Sequence, residues 1–415
     1  MTDIQKHDPF MAVRISEYRS LMIGRFLFVV GLRMMGTLVG WWVYNLTNLP
    51  FAIGLIGLSE VIPAVSLALY AGHIIDLSEK RKLLLTGVFS YGLLCCLLWL
   101  LSTSYTAARL SNQSIANSIY VIIFFTGIAR SFTGPVFNVM IGNIIKDKKV
   151  LQNATTWSQS MWLSASVLGH AAAGILIAYL GNQGTLSVIV VLIAIAFTVF
   201  LKLSEKPALN EKGDKRTWES VKEGIAFVLK TKELLGALTL DLFAVFFGGA
   251  VAMVPVYARD ILKVGPQGFG YLNSASDLGS ITIVVLLTIF PMRKKQGIKL
   301  LLAVAGFGTC IIVFALSKLF WISFAALMLS GILDGISVVI RGTIMQLKTP
   351  DNMRGRVMSV NSMFINSSNE LGQFESGFAA KLMNVVPSVV FGGCMTLLVV
   401  GVSWFKLPSL KKMEY

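Results

Sequence analysis

Long apolar runs separated by short polar intervals set the rhythm of this chain. Twelve are discerned, near 18–44, 50–75, 83–103, 115–145, 151–180, 184–203, 236–258, 268–291, 298–317, 320–346, 357–383 and 387–406. A bilayer core is crossed by ~20 apolar residues of helix. With no water in hydrocarbon, backbone groups must bond within each segment, so helices are expected. The pattern predicts an all-α membrane protein of twelve transmembrane helices. Its longest polar interval, 204–232, falls after six runs and before six more. The expected organisation is an N-terminal six-helix bundle (1–203), a linker (204–235) and a C-terminal six-helix bundle (236–415). Within the linker, Val221, Ile225, Val228 and Leu229 share one helical face. That segment is either an amphipathic helix on the membrane surface or a solvated linker helix.

Composition agrees: 55% of residues are hydrophobic and 14% charged, against roughly 25% charged in soluble domains. The net charge of +15 concerns topology rather than nucleic acid. Of 36 Lys and Arg, four arginines (Arg25, Arg33, Arg130 and Arg341) lie well inside the runs, and only Arg109, Arg259, Lys263, Lys318 and Lys381 occupy one set of connections. The remaining 27 occupy the other set with both termini. Basic loops stay in the cytoplasm, which predicts cytoplasmic termini. Residues 1–17 are polar and the first apolar run is long and bears arginines, so no cleavable signal peptide is expected. Cys95, Cys96, Cys310 and Cys394 lie in apolar runs, where thiols pack as small hydrophobes.

Eleven ionisable residues interrupt the runs, and they are sorted by sign. The first half holds Arg25, Arg33, Glu60, Arg130 and His170; the second holds Asp241, Asp277, Asp334, Arg341, Glu370 and Glu375. A charge in hydrocarbon costs from ~3 to well over ~10 kcal/mol, so it faces a partner or a water-filled path. Acids held between desolvation and nearby arginines can load a proton on one side and release it on the other, and Glu370 and Asp334 are the leading candidates. Permanent salt bridges are the competing reading, chiefly for Asp334 and Asp241, the latter expected to be only partly desolvated. Asn366, Glu370 and Gln373 fall on one helical face. Trp41, Trp42 and Tyr44 read as interfacial anchors, whereas Trp157 and Trp162 either line a cavity or face lipid.

The two halves repeat. Gly127-Ile128 matches Gly331-Ile332, LGHAAAG at 168–174 matches LGQFESG at 371–377, and Lys82-Leu-Leu-Leu matches Lys299-Leu-Leu-Leu. A parallel repeat of six spans predicts two pseudo-symmetric bundles around a central cavity. In this register Arg130 falls opposite Asp334, and Arg25 within a residue of Asp241.

Between the second and third runs stands GHIIDLSEKRK (72–82), with Gly72, Asp76, Lys80 and Arg81. It resembles the signature loop of the major facilitator superfamily, with Glu79 where a second glycine is usual. Arg130 and Gly134 in GIARSFTGPVFN resemble that family's fourth-span arginine motif. His170 stands where its antiporters carry proline. LDLFAVFFGGAVAMVPVYARDIL (240–262), PDNMRGRV (350–357) and NELGQFESG (369–377) are similar to the bacterial enterobactin-exporter and macrolide-efflux branch. The resemblance implies a gate at Gly72, Asp76, Lys80 and Arg81. It associates Arg130 with proton coupling, and the buried acids Glu370, Asp334, Asp241, Glu375, Asp277 and Glu60 are the further coupling candidates from their own desolvation. Arg33, Trp157, Trp162, His170, Asn366 and Gln373 are the expected cavity residues. The resemblance further implies a bacterial inner-membrane location; a monomer is expected because one chain with two bundles suffices to form a pathway.

The expected function is proton-coupled export of amphipathic small molecules by alternating access. An importer or lysolipid flippase on the same fold, and a non-transporting receptor, are the alternatives. No G-x-x-x-x-G-K-[ST], H-E-x-x-H or G-x-S-x-G motif is present, which argues against an ATP-driven pump or an enzyme. No cofactor, metal or nucleic acid is expected.

Overall fold

A computed structural model describes residues 8–206, 217–290, 292, 294–350, 353–411 and 413–414. Helices dominate, and no strand occurs among the described residues. The long ones are α1 (Ser16–Thr47), α2 (Pro50–Leu77), α3 (Lys80–Leu101), α4 (Asn112–Ile144), α5 (Lys148–Phe200) and α6 (Thr217–Lys230). They continue as α7 (Lys232–Phe247), α8 (Gly265–Ile289), α9 (Gln296–Leu316), α10 (Phe320–Lys348), α11 (Arg354–Met383) and α12 (Val385–Lys406).

Ten helical stretches among the described residues are long and apolar enough to cross a membrane, against the twelve expected. Two local causes account for the difference. At 53 residues, α5 would measure about 80 Å, far beyond a ~30 Å core. It breaks at Gly181, whose φ of +65° lies in the left-handed region that glycine tolerates, and so contains both expected runs. α11 is 30 residues long but carries Asn369, Glu370, Gln373 and Glu375, too polar a set to count as an apolar span. The α7 stretch stays apolar through a 3-10 turn (Gly249–Met253) and a π turn (Tyr257–Ile261).

Packing follows the repeat. In the first half α1 lies along α5, α2 against α4, and α3 against α4 and α5. In the second, α10 packs on α8 and α9, α9 on α12, and α7 on α11 and α12. The halves join through two equivalent seams, α2 with α11 and α5 with α8. Small residues bring the backbones together, as expected where lipid supplies no hydrophobic drive between helices. A Cβ on Gly174 would lie 2.5 Å from the Pro266 carbonyl and 2.7 Å from Gly270 Cα. One on Gly54 would lie 3.1 Å from Gly377 Cα.

These contacts gather toward the end of the molecule opposite the termini. There Trp41 stacks on Phe269 at 5.5 Å and Phe51 meets Phe374 at 6.1 Å. The Tyr44 hydroxyl donates to Asp260, while Arg259 donates to Asn45 Oδ1 at 3.0 Å and covers the Tyr44 ring. Trp41, Trp42 and Tyr44 are all buried. They are therefore not interfacial anchors as expected, and Trp41 and Tyr44 instead clamp one half to the other. At the opposite end, α6 docks on α11 and α7, burying Val228 and pairing Glu223 with Arg356.

Candidate functional site

The polar residues midway along the helices converge where the two seams meet. On α2 and α4, Glu60 and Arg130 form an ion pair. The approach depends on Gly127, one helical turn before Arg130, which lets α4 rest on Pro63 and the Glu60 backbone. Repeat register pointed from Arg130 to Asp334; the partner instead comes from the neighbouring helix of the same half. Asp334 has Arg341 and Asp277 as its main charged neighbours.

Across the α5–α8 seam, Ser166 donates to Asp277 Oδ2 at 2.5 Å and His170 Nε2 lies 3.6 Å from the same oxygen. The other ring nitrogen, Nδ1, is 2.6 Å from Thr37 Oγ1 on α1. His170 thus spans from the first half to an acid of the second, with its ring orientation set on both sides. Across the α2–α11 seam, Glu370 Oε2 is buried without a hydrogen-bond partner. Its charged neighbours are Arg130 and Arg33. Beside it, Gln373 packs against Gly57. The result is a mid-depth cluster in which Arg33, Arg130 and His170 of one half face Glu370 and Asp277 of the other.

Arg33 projects from α1 over the Trp162 ring, 4.7 Å from its centroid. Its Nε is buried and unbonded, and its stem runs beside Gly169, where any Cβ would collide with it. Trp162 therefore belongs to the cluster, but Trp157 does not. Its indole donates to the Pro9 carbonyl at 2.8 Å and its ring meets Phe10, strapping the N-terminal segment onto α5.

Two charges predicted as counterparts stand apart from this centre. Asp241 pairs with Arg341 of its own half, and both are only 5% exposed; Asp241 is thus fully desolvated, where partial exposure was expected. Arg25 instead bonds Ser158 and lies 5.2 Å from the Phe137 ring centre. Gly127 and Gly331 set a repeat offset of 204, which carries Phe137 onto position 341. The same place in each half is therefore filled by a cation–π contact in one and an ion pair in the other. Glu375 is partly buried and forms no ion pair among the described residues.

In the loop after α2, Lys80 is buried and donates to the Ser78 carbonyl at 2.8 Å and to the Ile75 carbonyl, closing the end of α2. Arg81 reaches the Leu201 carbonyl at 2.8 Å. Glu79 accepts from the backbone of Arg81 and Lys82, capping α3, and from Lys206. That capping role was missed, although an acid just before Lys80-Arg81-Lys82 is the sequence sign of a helix start. The surroundings of Gly72 and the side chains of Asp76 and Asn366 lie outside what is described.

The sequence pattern of the Major Facilitator Superfamily matches residues 21–372. Over 396 residues the chain is 23% identical to the enterobactin exporter EntS of Escherichia coli O1:K1, covering 93% of this chain and 90% of the relative. The same figures hold for EntS of Shigella boydii serotype 18. Among solved structures, the nucleoside transporter NupG superposes with a TM-score of 0.76 at 12% identity, covering 94% of this chain and all of that one. A D-xylose-proton symporter gives 0.73 at 13% identity, covering 96% and 99%. At such identities the neighbours establish the fold alone.

Proposed function

This chain belongs to the major facilitator superfamily, and on that premise we propose that it is a proton-coupled exporter of amphipathic small molecules working by alternating access. That it is a multi-pass membrane transporter follows from the family and from its relatives; direction, coupling ion and substrate are the proposal. The observation carrying it is Glu370, whose buried oxygen lacks a donor at the seam and whose charged neighbours are arginines of the opposite half.

Ionised Glu370 attracts Arg130 and Arg33 across the seam and holds the halves in register. A proton on Glu370 removes that attraction, as does a substrate that claims the arginines. Either ligand then frees the halves to rock, while the empty, unprotonated carrier stays locked. Exchange of substrate against protons follows, because each ligand binds the two arrangements differently. Asp277 and His170 supply the matching tie on the α5–α8 seam. Asp241 and Arg341 serve as a permanent strut within the second half.

The bundles of this proposal are 1–203 and 236–415, joined by 204–235, with a single chain sufficient for a pathway. The distribution of Lys and Arg favours both termini in the cytoplasm of a bacterial inner membrane. The closed end is then the outer one, so the carrier stands ready to load from inside.

Inside-out vesicles with an acidic lumen test the reading, using enterobactin, a macrolide and lysophosphatidylethanolamine as probes. Uptake of at least one probe, abolished by a protonophore, is expected. No uptake of any, or uptake indifferent to the protonophore, would overturn it.

A further inference from the structure

Among the described residues, Arg33 is the one central arginine without a hydrogen bond or ion pair. Arg130 pairs with Glu60, Arg341 with Asp241, and Arg25 bonds Ser158. The Arg33 guanidinium forms neither hydrogen bond nor ion pair among the described residues, and its Nε is buried. It lies over the Trp162 ring. Arg33 also lies near the like charge of Arg130, near Glu370 and near His170.

A guanidinium presents five donors in a planar fork matched to two oxygens of one anionic group, and it stacks on aromatic faces without losing that fork. Here the stacking surface is already filled by Trp162 and the fork is vacant. Gly169 is the residue that makes the placement possible, because a Cβ there would lie 2.7 Å from Arg33 Cβ. A cation held at mid-depth beside another cation, with its hydrogen-bonding capacity unspent, is a site prepared for an anion.

We propose that Arg33 on its Trp162 platform is the subsite for a carboxylate, or a similar two-oxygen anionic group, of an amphiphilic substrate. This rests on the transport reading above and adds the substrate class. The anion takes Arg33 away from Glu370, so the acid on α11 and the acid on the substrate are rivals for one guanidinium. Glu370 is the acid free to compete, with Asp277 held by Ser166 and His170, and Glu60 held by Arg130.

Binding to the detergent-purified full chain tests this without any gradient. By isothermal titration, with empty micelles as blank, naphthalene-2-carboxylate is compared with its methyl ester. The acid should bind about tenfold tighter or more, the ratio expected of a charge-assisted hydrogen-bonded pair. Arg33→Gln should erase the preference for acid over ester, and Arg33→Lys should restore part of it. Trp162→Leu should weaken the acid more than the ester, because it removes the platform that holds the guanidinium. Glu370→Gln should tighten the acid alone by removing its rival. Equal binding of acid and ester by the unmodified protein, no acid binding at millimolar concentration, or an undiminished preference in a folded Arg33→Gln variant would each overturn the proposal. Loss of protonophore-sensitive transport with the acid preference intact would instead refute coupled export and leave the subsite standing.

Discussion

Alanine at Gly174 adds a single methyl group to the α5–α8 seam. In the arrangement described, that methyl sits 2.5 Å from the Pro266 carbonyl oxygen and 2.7 Å from Gly270 Cα, whereas real Cβ contacts do not fall below 3.0 Å. Backbone on one side must therefore withdraw by about 0.5 Å, and it cannot escape as a flexible side chain would. Overpacking of this kind costs about 1–3 kcal/mol. If the methyl is relieved when the halves part at this end, the cost falls on one state alone. The ratio of closed to open at the end opposite the termini then drops roughly 5- to 150-fold.

Spin labels at Leu49→Cys and Leu319→Cys, both exposed near that end, report the separation of the halves by double electron–electron resonance. Gly174→Ala should shift the distance distribution outward. Gly54→Ala, whose methyl meets Gly377 Cα at 3.1 Å, should shift it less. Gly401→Ala, with nothing within 4 Å, should leave it unchanged. An unmoved distribution in Gly174→Ala, or equal shifts in all three, would refute the idea that this seam opens.

Other expectations concern stability and anchoring. Arg341→Met strands a buried carboxylate and should cost about 3–5 kcal/mol, most of it returned by Asp241→Leu in the same chain; additive losses in thermal unfolding would contradict the strut. Glu79→Ala removes the acceptor for two N–H groups of α3 and should cost about 1 kcal/mol, read as a lower melting temperature. Trp157→Ala removes both the bond to Pro9 and the Phe10 contact. Amide exchange across residues 10–14 should quicken roughly fivefold for a loss of about 1 kcal/mol, with unchanged exchange counting against the strap.

Much of the architecture was legible because hydrophobic runs in a membrane answer to one requirement, the length of a helix across hydrocarbon. The break at Gly181 and the docked helix α6 fall where polar residues interrupt that pattern. The expected run 357–383 lies within the single helix α11, but the Asn, Gln and Glu residues around Glu370 keep it out of the apolar spans. Pairing was far less legible. Arg130 belongs to Glu60 through helix packing that Gly127 permits, and register between repeats says only which positions are equivalent.

That equivalence nonetheless holds at one remove, since Phe137 beneath Arg25 occupies the place of Arg341 beside Asp241. Trp41, Trp42 and Tyr44 were misassigned for a similar reason. A ring near a span end is equally suited to headgroups or to a seam, and only the opposing Phe269 and Asp260 decide between them. Trp157 and Trp162, five residues apart, went to different tasks because one faces the N-terminal segment and the other faces Arg33.

The most direct test of coupling at the seam is proton-driven accumulation against gradient-free exchange in Glu370→Gln. With whichever probe inside-out vesicles accumulate, the variant should still exchange labelled for unlabelled compound across the membrane. It should no longer concentrate that compound when the lumen is made acidic. Full accumulation by Glu370→Gln, still sensitive to a protonophore, would show that the proton travels elsewhere and that the cluster is a structural tie.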